Sequence, residues 1–133
     1  MKKLTLFCLL CSVSLFLGAC SQSKAPSAPV LDRVELTDMM EDGVKKIGIA
    51  FYFKDADGDA VKTDFEVVST TREGIRTGDG TLTKGEHQKT LHRQQSGSWN
   101  CGKDLTYEAE ISLTIIDEKD LKSEAKIFKL ICD

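Results

Sequence analysis

Proline, histidine and tryptophan are scarce in this 133-residue chain, at two, two and one residues. Two prolines exclude a proline-rich extended chain, and ten glycines without a regular period exclude a collagen-like one. Basic charge is not in excess. Lys and Arg number 18 against 21 acids, a formal charge of −3, which excludes a strongly basic nucleic-acid binder. No apolar run reaches the roughly 20 residues of a bilayer-crossing helix. Beyond the first twenty residues there is no C-x-x-C pair, no phosphate-cradling glycine loop, no dinucleotide fingerprint and no G-x-S-x-G elbow. The whole chain is 41% hydrophobic and 29% charged, the composition of one globular domain.

The first residues differ from the rest. Lys2 and Lys3 precede an uncharged apolar run, Leu4–Leu17, which ends in small residues. A basic start, a short apolar stretch and small residues form a secretory signal. Leu17-Gly18-Ala19-Cys20 resembles the lipobox of bacterial lipoproteins. The resemblance implies cleavage after Ala19, a diacylglyceryl group on the Cys20 sulfur and usually a third acyl chain on its amine. The plainer alternative is an ordinary secretory signal. Several acyl chains anchor a protein stably where one is marginal. By the same resemblance Ser21, rather than Asp, implies the outer membrane. Cys8 and Cys11 leave with the signal. Two Lys and no acid leave too, so the mature chain is more acidic. Ser21–Pro29, SQSKAPSAP, has no large apolar residue and reads as a tether. The expected organisation is signal peptide 1–19, lipidated Cys20 with its tether 20–29, and one domain 30–133.

Within that domain the dominant period is two. Ile47, Ile49, Phe51 and Phe53 alternate with smaller or more polar residues. So do Val61, Thr63, Phe65 and Val67, and Tyr107, Ala109, Ile111, Leu113 and Ile115. Period two with one apolar face marks half-buried strands. Weaker strands are expected at Arg33–Thr37, Thr70–Thr77, Gly80–Lys84, Lys89–Arg93 and Glu124–Cys132. The last should pair across the turn Asp117–Asp120. The expected fold is an all-β antiparallel sandwich of about seven strands. Two segments, Phe53-Lys54-Asp55-Ala56-Asp57-Gly58-Asp59-Ala60-Val61 and Tyr107–Asp117, resemble the immunoglobulin-like, PKD-like repeats of Bacteroidetes-type surface lipoproteins. The resemblance implies an immunoglobulin-like sandwich and leaves function open.

Few residues suggest chemistry. Asp55, Asp57 and Asp59 alternate around Gly58, an arrangement in which carboxylates converge on a calcium ion. An EF-hand is excluded, because Ala60 stands where the loop needs glycine and the flanks alternate as strands. A solvated turn explains the same residue types. Cys101 and Cys132 are two cysteines in an exported chain and are expected to form a disulfide. His87 and His92 are expected on a polar surface, facing opposite ways if they share a strand. Trp99 reads either as packing over the disulfide or as a contact for a partner. No active site rises above this background, and no resident cofactor besides calcium is expected. The expected function is a lipid-anchored, non-catalytic cell-envelope module that binds or scaffolds an unknown protein or envelope component. The alternatives are a small envelope inhibitor or chaperone-like lipoprotein and, behind it, a hydrolase.

Overall fold

Alternating burial along the chain sorts it into strands. The structure, a computed structural model, describes residues 24–133; Cys20 and the signal-like segment before it lie outside the described residues. The strands are β1 (Val30–Glu41), β2 (Val44–Lys54), β3 (Ala60–Thr70), β4 (Gly80–Thr81), β5 (His92–Asn100), β6 (Tyr107–Asp117) and β7 (Lys126–Cys132). One 3₁₀ turn, Glu86–Lys89, precedes β5. Two antiparallel sheets form, in the orders β1-β2-β5 and β4-β3-β6-β7. This is an all-β sandwich of seven strands. Its three-strand and four-strand sheets follow immunoglobulin-like order, with β4 paired to β3 instead of β5.

The three strong alternating segments form β2, β3 and β6, and their apolar faces meet. Ile47, Phe51, Phe53, Ile111, Leu113 and Ile115 have almost no exposed surface. The core has two lobes. Leu31, Phe51, Phe53, Leu113 and Ile115 fill one. Ile47, Tyr107, Ile111, Leu130 and the two cysteines fill the other. Phe65 and Phe128 touch both lobes and meet edge to face, with ring centroids 6.5 Å apart.

Of the weaker strands, Arg33–Thr37 lies within β1, and Glu124–Cys132 holds β7, paired with β6 as expected; the other three came out differently. Thr70–Thr77 is not a strand: β3 ends at Thr70, and turns follow. Gly80–Lys84 shrinks to two residues. Lys89–Arg93 is replaced by the 3₁₀ turn and a longer strand, His92–Asn100, which carries little apolar pattern because it lies at a sheet edge. The first hairpin turns at Asp42-Gly43, both with positive φ (52° and 75°), the two-residue turn that matches strand twist.

Candidate functional site

The acidic loop joins β2 to β3. Buried Asp55 closes it from within. Its Oδ1 accepts the Asp57 N–H at 3.2 Å and its Oδ2 accepts the Asp59 N–H at 2.9 Å. Gly58, with φ 69°, turns the chain so that its own N–H reaches the Asp55 carbonyl at 3.0 Å. A Cβ there would lie 2.9 Å from the Gly85 carbonyl oxygen, so only glycine fits. The loop brings one carboxylate oxygen from each of Asp55, Asp57 and Asp59 within 4.8 Å of one another. Ligands around one calcium ion lie at most about 5 Å apart, twice its bond length, so the three groups fit that ion.

Sequence reading missed the residue that holds this loop. Gln88, fully buried on the 3₁₀ turn, accepts the Ala60 N–H at 3.0 Å and donates to the Ala60 carbonyl at 3.0 Å and the Thr83 carbonyl at 2.7 Å. Its own carbonyl accepts the Asp55 N–H at 2.7 Å. The side-chain amide thus stands in for a missing strand beside the start of β3. A buried glutamine in a polar stretch has no periodic signature.

Two further groups meet the loop. Lys119, on the β6–β7 turn, donates to Asp59 Oδ2 at 3.0 Å. Asp117, at the end of β6, is 1% exposed, and its Oδ1 accepts the Lys119 and Leu121 N–H groups, each at 2.8 Å. Among the described residues, Asp59 Oδ1 and Asp117 Oδ2 are buried without a hydrogen-bond partner. The electrostatics follow. Burial raises the Asp55 carboxyl above its ordinary value, and two backbone N–H groups offset only part of that rise. Burial also pushes Asp59 up, but Lys119 and the neighbouring Asp55 carboxyl outweigh it and hold Asp59 low. Hydrogen bonding to Asp59 raises Lys119, so its ammonium stays charged and is an ion-pair partner rather than a nucleophile.

The chain entering β1 also touches the loop. The Ser27 N–H donates to Asp57 Oδ2 at 2.8 Å, and Pro29 is buried. Ser27 is therefore fastened to the acidic loop just before β1 begins.

Trp99 lies elsewhere. Register sets it opposite Ile47, toward the far end of β2, whereas Lys54 faces Val30 where the chain enters β1. Its indole N–H donates to the Tyr107 hydroxyl at 2.8 Å. One side packs on the core lobe around the disulfide, and another lines a cleft of about 250 Å³ between β5 and the loop before β4. Ile49, Phe65 and Ile111 form the floor of the cleft, and Arg76, Asp79, Ser96 and Ser98 its rim. Cys101 and Cys132 are joined in a disulfide with Cα atoms 5.4 Å apart. It ties the end of β5 to the end of β7, one sheet to the other.

The histidines correct an expectation. His87 is on the 3₁₀ turn and His92 begins β5, so they do not share a strand. Their rings meet edge to face 4.7 Å apart, and His92 also packs on Phe53. No histidine lines the Trp99 cleft. Among the described residues, no helix is long and apolar enough to cross a membrane.

Comparison with protein-family models, with curated proteins and with solved structures finds no match. The class set by strand order is the all-β sandwich.

Proposed function

We propose that this protein is a lipid-anchored, non-catalytic module of a bacterial cell envelope, held by acyl chains on Cys20, whose sandwich binds an envelope protein through the cleft beside Trp99. The observation that carries this reading is the polarity of the molecule. The chain enters at the acidic loop, where Ser27 and Pro29 rest. Cys20 is close enough in sequence that a fully extended tether spans about 25 Å from Ser27. Trp99 lies roughly 23 Å along β2 from that entry, by strand rise. A domain tethered in this way turns its cleft away from the anchor, and the tether raises the effective concentration of the cleft near membrane-bound partners.

The shape of the cleft favours a protein ligand. At about 250 Å³ it is smaller than the roughly 300–1,000 Å³ of small-molecule pockets. Its apolar floor suits one inserted side chain. An envelope inhibitor or chaperone-like lipoprotein would use the same surface. Calcium at Asp55, Asp57 and Asp59 would serve as a structural ion, stiffening the anchored end.

Two measurements test the reading. Cys20→Ser should abolish labelling by an alkyne-bearing fatty acid and release the chain from membranes; a variant still labelled and membrane-bound sinks the anchor. Ser96→Arg blocks the cleft rim at an exposed position. It should cut capture of the envelope partner at least tenfold with an unchanged melting temperature, and unchanged capture would remove the cleft from the reading.

A further inference from the structure

The acidic loop meets a cation from another turn. Asp55, Asp57 and Asp59 place three carboxylate oxygens within 4.8 Å of one another. Like charges at that separation need a proton, an ammonium or a metal ion between them. Among the described residues one ammonium bonds to these carboxylates, that of Lys119, and it reaches a single oxygen, Asp59 Oδ2, at 3.0 Å. The other oxygen of the same carboxylate is buried and unpartnered, although Asp59 is only 8% exposed. An unpaired buried carboxylate oxygen is costly. The Asp117 carboxylate beside the Lys119 backbone leaves a second such oxygen. Supply and demand do not match: one ammonium, bonded to one oxygen, faces several carboxylates.

The two partners also differ in freedom. Asp59 is packed in place, whereas the Lys119 side chain is half exposed on a turn that ends at Asp120, with φ 62°. The ammonium can leave toward solvent while the carboxylates stay. A calcium ion takes six to eight oxygens and would use both the oxygen Lys119 holds and the one it does not reach.

We propose that Lys119 is a resident counter-ion that competes with a divalent cation of the calcium class for the Asp55–Asp57–Asp59 site. Its ammonium neutralises Asp59 when the cation is scarce and swings out when the cation binds. This rests on the reading of the loop as a cation site. It makes the site deliberately weak, because binding must first break the Lys119–Asp59 pair.

The test is calorimetric titration of calcium chloride into the full chain, oxidised, in detergent and stripped with a chelator. Lys119→Met should tighten calcium binding at least tenfold over the unaltered chain. Lys119→Arg, which keeps the charge, should bind like the unaltered chain and guards against a folding artefact in the Met variant. Asp57→Asn should weaken binding in either background. If the unaltered chain binds calcium and Lys119→Met binds no tighter, the counter-ion is overturned while the cation site stands. If neither binds at millimolar calcium, the cation site falls and takes the counter-ion with it.

Discussion

Asp55 and Gln88 act where a carboxylate or an amide replaces missing backbone partners. Asp55→Ala would strand the Asp57 and Asp59 N–H groups. Losing two such acceptors should cost about 2–4 kcal/mol in urea unfolding. Gln88→Ala strands both backbone groups of Ala60 and the Thr83 carbonyl, and should cost a similar amount. The pH behaviour separates charge from hydrogen bonding. A raised folded pKa means that the folded chain binds the extra proton, so the stability Asp55 contributes is present at low pH and is lost as pH rises through its folded value. Asp59, held low, contributes in the opposite sense: its share is present above the ordinary 3.8 and is lost as pH falls through the folded value. Asn at position 55 is neutral at every pH. Asp55→Asn should therefore be most destabilising at and below the ordinary carboxylate value, and the deficit should narrow as pH rises above it in calcium-free buffer. A deficit that widens with pH would mean that burial does not raise Asp55.

At the scale of elements, β5 is held by geometry more than by composition. Gly97 has φ 102°, lies at the irregularity where β2 and β5 slip register, and has no heavy atom within 4 Å of a built Cβ. Gly97→Ala meets no clash, so its cost is conformational alone, about 1–2 kcal/mol in urea unfolding. A neutral outcome would show that the edge strand relaxes its backbone freely. The same strand shows where sequence reading stops. In β2 and β6 one apolar face meets a core, so Ile47, Phe51, Ile111 and Leu113 announce both strand and facing. β5 half-buries only His92, Gln94 and Trp99, and its bulge breaks the period of two. Nothing in HRQQSGSWN then separates strand from loop. The acidic triad was legible because a DxDGD spacing reports its own turn. The long-range parts of that site were not, since Lys119 reaches Asp59 only through the pairing of β3 with β6, which puts Ala60 opposite Asp117.

The whole molecule is stabilised by different chemistry at its two ends. The end where the chain enters is held by hydrogen bonds and ions among Asp55, Asp59, Gln88, Asp117 and Lys119. The far end is held by the Cys101–Cys132 bond and the Trp99–Tyr107 contact over an apolar lobe. The disulfide closes a loop with a sequence separation of 31, for which chain entropy gives about 3–4 kcal/mol. On a domain of this size that corresponds to a fall in melting temperature on the order of 10–20 °C on reduction. The loss should not be uniform. Hydrogen exchange on the reduced, still folded chain should accelerate first at Tyr107 and Cys132, which face each other across β6 and β7, and at Trp99 on β5. The amides of Asp59 and Ala60, bound to Asp55 and Gln88, should keep their protection until the chain unfolds as a whole. Acceleration at both ends together would mean that the Phe65–Phe128 bridge joins the two lobes into one cooperative unit. Protection that outlasts reduction at the acidic end would instead give the half where the chain enters its own stability, leaving the Trp99 half free to adjust.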